Sequence, residues 1–423
     1  MKNQEKINSL IEHFFRHESG KMISVLTRYF GAEKLNLAED LVQETIIAAI
    51  STWTYRGIPD NPNAWLYRVA KNKALNILKR EKIKQAYISS KHHRPIPREE
   101  ILVDEIFSPK NIEDDQLRMM FLCCNPLLSI DSQIALTLKT LCGFSISEIA
   151  KAFFTSPESV NKRLVRARKK IRDDNISFDV PSKMDINERL ETVLETIYLI
   201  FNEGYSASKG KSIIRRELCE EAIRLTDILL NTDFVAEKAN VYALKALMQL
   251  NTSRFNARQD ANGQIVRLED QDRRLWDLNI MEKGFVNLGK SHHKYVSKYH
   301  LMASVSAYYC MAKDFESTNW KSVLTLYDKL LQIENSPIVL MNRAIIISKV
   351  HSIEKGIEEL ENIKNHKAIR SHHLYYSIFG EFLFKLKRNK QAVAMMEKAI
   401  ELAPLKIEKE TLKKRLENFN FKN

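Results

Sequence analysis

The sequence predicts an all-α protein, and three observations carry that prediction. It holds only 11 glycines and 10 prolines in 423 residues, well below the usual ~7% and ~5%, so little of it can be turn. Apolar residues recur at three- and four-residue spacing along most of its length. Polar capping residues stand where the periodic stretches begin. The length allows two or three domains. A net charge of +13 and a pI near 9.3 favour a polyanionic partner. No apolar run approaches the ~20 residues of a membrane span, and the segment from Met1 to Lys6 leads into no signal-type apolar core. The expectation is a cytoplasmic protein without a membrane partner. The five cysteines have no C-x-x-C spacing, which points away from a zinc site and from a disulfide framework. Cys123 and Cys124 read as core thiols of a reducing compartment.

Residues 10 to 82 read as helices. Phe14, Ile23, Leu26 and Phe30 share one stripe. From Asp40 to Trp53 a second helix turns Val42, Ile46, Ala49 and Trp53 inward, and its acidic first turn suits the helix dipole. A loop follows from Tyr55 to Pro62. A third helix then runs from Asn63 to Arg80, with Trp65, Val69, Leu75 and Leu78 able to pack. Its other face carries Arg68, Lys71, Asn72, Lys73, Asn76, Lys79 and Arg80. Cations and amides beside aromatic rings suit single-stranded nucleic acid, where bases stack and cations follow the phosphates.

Residues 83 to 115, with Pro95, Pro97 and Pro109, read as a linker. Helices resume at Leu117. Residues 145 to 170 hold the strongest signal of the chain. Ser145 with Glu148 forms a capping box, and Ser156 with Pro157 supplies an N-cap followed by proline at the first helical position. Ile149, Phe153, Val160, Leu164 and Ala167 can close a small core. Glu158, Ser159, Asn161, Lys162, Arg163 and Arg166 are left outside. Seven basic residues and no acid lie between Lys162 and Arg172. The pattern is a helix-turn-helix whose second helix can enter a major groove.

A break from Asp173 to Pro181 leads into a helical half, residues 176 to 423. Tyr376, Phe379, Gly380, Leu383, Ala392, Met396, Ala399 and Pro404 match the spacing of a tetratricopeptide repeat. Ala344, Gly356, Leu360 and Ile363 form a weaker unit before it. Val323, Tyr327 and Leu330 read as the second helix of one more, so repeats span about 304 to 406. Such stacks present protein-binding surfaces. Glu203, Asp270, Asp272 and Arg273 could form an acidic site. With no phosphate loop, nucleophile elbow or metal spacing beside them, they read better as caps and ion pairs ordering a loop. The paired histidines His92-His93, His292-His293 and His372-His373 point apart if helical and read as no metal site. No catalytic, cofactor or metal residues are expected, and the chain is not read as an enzyme.

The order of these motifs resembles a bacterial RNA polymerase sigma factor of the extracytoplasmic-function type. The likeness rests on the segment from Asp40 to Glu44, that from Asn63 to Asn72, the linker, and the basic helix-turn-helix. It places region 2 at residues 1–82 and region 4 at 116–175. Tyr198 to Tyr205, Glu269 to Trp276 and Ser336 to Ala344 resemble the long tetratricopeptide-like extension of one branch of that group. Lys71, Lys73 and Asn76 depart from what its members often carry.

The resemblance implies roles. Asp40, Gln43 and Glu44 would face the β′ clamp helices of the core polymerase, which would also be met through its β flap. Tyr55 to Asn61 would capture a flipped base of the −10 element, with Trp65, Arg68, Lys71, Asn72 and Asn76 along the single strand. Ser159, Lys162, Arg163, Arg166 and Lys169 would bind the −35 duplex. Elements about 17 base pairs apart lie ~58 Å apart along B-DNA, so a 33-residue linker, ~32 Å as a random coil, must be partly extended. The extension would dock within the chain or take a protein partner. The rival reading is a helix-turn-helix regulator with a tetratricopeptide sensor and no sigma activity. Such a protein has no need of a clamp-facing helix or a single-strand face.

Overall fold

In the computed structural model, α1 (Lys2–Phe30), α2 (Leu35–Arg56) and α3 (Pro62–Ile88) form the first helical group. The structure describes residues 2–88, 107–153, 155–182, 186–205, 214–260, 264–370, 372–404 and 406–420. His92, His93, Pro95 and Pro97 lie outside them. Phe14, Ile23, Leu26 and Phe30 are buried together with Val42, Ile46, Ala49 and Trp53. Phe14 and Trp65 each meet the Trp53 ring edge-on, at 5.8 and 5.5 Å.

Two expectations about this group are corrected. Because α2 begins at Leu35, its first turn holds no acid and Asp40 lies in the second turn. In α3 the fully buried stripe is Leu66, Ala70 and Ala74. Trp65, Val69, Leu75 and Leu78 are half-buried on its flanks. The centre of the contact falls on Leu66, Ala70 and Ala74, one position away from the expected residues, which pack at its edge, as Trp65 does on Trp53. Gly57 ends α2 with φ +82°, its N–H bonded to the Trp53 carbonyl at 3.1 Å. That conformation favours glycine.

The second group comprises α4 (Pro109–Cys123), α5 (Ile130–Thr140), α6 (Ile146–Ala152) and α7 (Pro157–Asp173). Helix thus enters both ends of the range read as linker: α3 continues to Ile88, and Pro109 is the first residue of α4. Ser108 caps that helix by accepting from the Asn111 N–H. At the other end α7 stops in a Schellman motif. Asn175 adopts φ +50°. Its N–H bonds the Arg172 carbonyl at 3.2 Å and that of Ile176 bonds Ile171 at 2.9 Å. Ile171 and Ile176 are both buried, supplying the apolar contact that accompanies this stop.

Two compact units divide the chain: Met1–Leu199 with Asp227–Ala236, and Ile200–Thr226 with Glu237–Asn423. Two of their boundaries fall inside α8 (Ile186–Tyr205) and α9 (Arg216–Leu230), and the third in the segment after α9. Within the first unit, Arg189 of α8 donates to the Phe121 carbonyl at 2.7 Å, and Thr196 donates to Gln133 at 3.0 Å.

The second unit continues with α10 (Ala239–Thr252), α11 (Leu278–Lys290), α12 (Lys298–Met311), α13 (Trp320–Ile333), α14 (Pro337–Val350), α15 (Ile353–Ile363), α16 (Lys367–Arg370), α17 (His373–Lys385), α18 (Asn389–Leu402) and α19 (Lys406–Asn420). Successive helices pack as hairpins: α14 on α15, and α17 on α18. Phe379, Leu383, Ala392, Met396 and Ala399 are buried in one cluster with Ala344, Leu360 and Ile363. Val323 and Leu330 of α13 are buried as well. The sequence marks only the second helix of this unit; α12 precedes α13 and packs on it as the first.

Candidate nucleic-acid interface

In the helix-turn-helix, both halves of the α6 capping box form. Ser145 Oγ accepts from the Glu148 N–H at 3.1 Å, and Glu148 Oε2 accepts from the Ser145 N–H at 2.7 Å. At the start of α7, Ser156 Oγ accepts from the Ser159 N–H at 3.2 Å. Ile149, Val160, Leu164 and Ala167 are buried, while Phe153 is half-buried. Fixed in this way, α7 turns Lys162, Arg166 and Lys169 to solvent, with Val165 half-exposed between them.

The seven basic residues of this stretch do not act alike. Arg163 pairs with Asp131 in the first turn of α5 at 3.2 Å. Lys170 pairs with Asp174 at 2.6 Å and Arg172 with Asp173 at 3.2 Å. Arg168 turns inward and pairs with Glu39 of α2 at 2.5 Å, and Thr140 donates to the same carboxylate at 3.2 Å. Burial raises the Glu39 pKa, with Arg168 opposing that effect. This contact joins the two helical groups of the first unit. Gly20 of α1 lies so close to α5 that a β-carbon there would sit 2.3 Å from the Leu141 carbonyl oxygen. Arg168 was not singled out from sequence. It stands four residues after buried Leu164, at the edge of the apolar stripe, and that position is the available signal.

On the first group, Asp40, Gln43 and Glu44 are exposed on α2. Ile47 continues the same face at 62% exposure, an apolar residue where a solvated helix would hold a polar one. Lys73 of α3 bonds Glu44 at 2.7 Å, so the two helices share a charge pair at the surface. Arg68, Asn72 and Asn76 are exposed along one line of α3, with half-buried Trp65 and Lys71 beside it. Tyr55 projects from the end of α2 at 90% exposure. Asn61 caps α3, its Oδ1 accepting from the Ala64 N–H at 3.0 Å. Tyr67 turns inward, stacked 4.9 Å from Phe107, with its hydroxyl donating to Glu18.

The acidic residues noted in the C-terminal half hold structure together. Glu203 pairs with Arg215 at 2.8 Å. Asp272 caps the turn at Arg274, and Arg273 donates to the Tyr309 and Ala312 carbonyls at 2.8 and 2.7 Å. The rings of His372 and His373 lie parallel, 5.8 Å apart. They do not diverge, because His372 is an extended N-cap residue and not a helical one. Among the described residues no group of three or more His, Cys, Asp or Glu is placed to hold a metal, and no helix is long and apolar enough to cross a membrane.

Two family models match this first unit: sigma-70 region 2 at residues 14–83 and sigma-70 region 4 at residues 118–171. A region 2 group followed by a region 4 helix-turn-helix defines a sigma factor, a DNA-binding protein of transcription initiation. The chain is 35% identical to the uncharacterized protein R00370 of Rhizobium meliloti (strain 1021) over 391 residues, 90% of this chain and 89% of that one, and belongs to the same family. It is also 27% identical to the ECF RNA polymerase sigma-E factor of Haemophilus influenzae over 186 residues, 40% of this chain and 88% of that one. Residues 189–292 match a family of unknown function, DUF6596. No solved structure matches.

Proposed function

We propose that the protein is a sigma factor of the extracytoplasmic-function type, acting in the cytoplasm. In this reading the exposed α2 face at Asp40, Gln43, Glu44 and Ile47 binds the β′ clamp helices of the core polymerase, and the β flap meets region 4. Tyr55, Trp65, Arg68, Lys71, Asn72 and Asn76 take the non-template strand of the −10 element, with Asn61 shaping that loop as the cap of α3. Ser159, Lys162, Arg166 and Lys169 grip the −35 duplex. Arg163 joins them by exchanging Asp131 for DNA. Unstacking a base costs a few kcal/mol, and capture by the region 2 loop offsets it.

The observation that carries this reading is the capped α7 with its outward cations, in one unit with the polar stripe of α3. Binding both promoter elements at once further requires separating α2 from α7, because Glu39 and Arg168 hold them side by side at 2.5 Å whereas the elements lie ~58 Å apart. The extension from residue 176 is a regulatory module of tetratricopeptide-like hairpins. The α8 bonds to Phe121 and Gln133 support docking of its first helix on region 4.

The test is a pull-down of core RNA polymerase, and of its isolated β′ clamp helices, by the full chain. Replacing Gln43 and Glu44 together with alanine is expected to weaken capture at least tenfold with the fold intact. Unchanged capture contradicts the assignment.

A further inference from the structure

The second unit holds a partly open cavity of about 470 Å³, within the ~300–1,000 Å³ of sites for small organic molecules. Helices α13, α14 and α17 form its walls, and α19 with residues 265–269 closes one side. Charge makes that closure. Arg267 bonds one oxygen of Glu381 at 2.6 Å, and Arg415 approaches the other at 3.3 Å. Lys414 bonds Gln264 at 3.0 Å. One wall is aromatic and held by its own packing: Trp320 meets Phe315 edge-on at 4.9 Å and Tyr309 at 6.0 Å. Ile378 and Phe382 also line the cavity.

The charges in the lining are committed unevenly. Glu381 is taken by two arginines and Glu269 by Arg267 at 2.7 Å, while Glu408 stands 3.7 Å from His373, whose imidazole burial keeps neutral with a pKa lowered to about 4. Lys349 and Lys385 line the same space and have no carboxylate partner among the described residues. Lys349 sits with its ammonium 4.5 Å from the centre of the Phe315 ring, a contact that leaves its donors open to an anion. An apolar, ring-lined interior with uncommitted positive charge is complementary to an acid carried on an apolar body.

We propose that this cavity binds a small organic anion with an apolar, ring-bearing body. Lys349 holds the acid group, Lys385 adds positive potential, and Trp320 and Phe382 cover the body. Ligand occupancy would then brace the Arg267–Glu381–Arg415 closure.

The test uses the full chain and a fluorescent pair of matched shape: the anion 8-anilinonaphthalene-1-sulfonate and the uncharged N-phenyl-1-naphthylamine. The expected result is one saturable sulfonate site per chain. Lys349→Gln should weaken the sulfonate about tenfold and leave the uncharged probe unchanged. Leu374→Trp, at a lining position 45% exposed, should weaken both by narrowing the cavity without disturbing the core. Near-ultraviolet circular dichroism confirms that each variant is folded. Several weak sites, sulfonate binding indifferent to Lys349→Gln, equal loss of both probes in Lys349→Gln, or neither probe weakened by Leu374→Trp would overturn the proposal.

Discussion

The two units present their chemistry in opposite ways. In the first, polar and basic groups lie on the outer faces of α2, α3 and α7, each carried by one helix and open to solvent. In the second, the most concentrated chemistry is turned inward, around a cavity lined by residues from Ile265 to Arg415. A convex basic face suits a long polyanion, which meets one helix at a time. A partly open, mainly apolar cavity suits a small molecule, which must be touched from several helices at once. The basic face also teaches that charge count overstates charge available. Of seven cations on α7, four are paired within the protein, and Lys162, Arg166 and Lys169 remain turned outward.

That contrast is open to attack at its largest effect first. Replacing Lys162, Arg166 and Lys169 together with alanine should lower affinity for a −35 duplex on the order of 100-fold and reduce the salt slope by about three. Fluorescence anisotropy across a salt series measures both. A loss confined to one base position, with the slope intact, would mean that these residues read sequence and do not grip phosphate.

Arg168 should behave in the opposite way. Arg168→Ala strands the Glu39 carboxylate in a buried site and should cost the first unit about 3 kcal/mol in denaturant unfolding. The pair Glu39→Gln with Arg168→Met should recover most of that loss. An Arg168→Ala variant that is as stable as the parent but binds DNA poorly would return Arg168 to the outer face.

A smaller effect is set by Asp115, whose carboxylate is fully buried, 3.7 Å from Arg28 and 3.5 Å from Arg118. Burial pushes its pKa up to about 6 from 3.8, against the pull of both arginines. A raised carboxyl pKa means that the folded state holds a proton the unfolded chain releases. This contribution is therefore complete below about pH 4 and is lost as pH rises through about 6. Asp115→Asn fixes the neutral form. It should raise the unfolding temperature at pH 8, change it less at pH 5, and flatten the profile between them. A lower unfolding temperature at pH 8 would show that the two arginines outweigh burial.

Legibility followed the distance between the residues involved. The α7 core, both caps and the inward stripe of α2 could be read because helical spacing and capping are local rules, satisfied by residues three or four apart. The buried line of α3 falls on Leu66, Ala70 and Ala74, beside the residues that periodicity favoured, because apolar residues stand at adjacent positions and only tertiary packing chooses between the neighbouring lines. Arg168 was counted with its basic neighbours because its partner, Glu39, lies 129 residues away. The cavity was not legible at all, since its aromatic wall and its arginine closure come from helices and loops that only the packed stack brings together.

The most direct test of the central claim is run-off transcription by purified core RNA polymerase on a promoter library, with the full chain as the only added factor. Transcripts should start downstream of a shared pair of elements. They should fall at least tenfold with Gln43→Ala and Glu44→Ala combined, while the same variant still shifts −35 duplex DNA as the parent does. DNA binding without any factor-dependent transcript, from parent and variant alike, would contradict the account and leave a helix-turn-helix regulator that works without sigma activity.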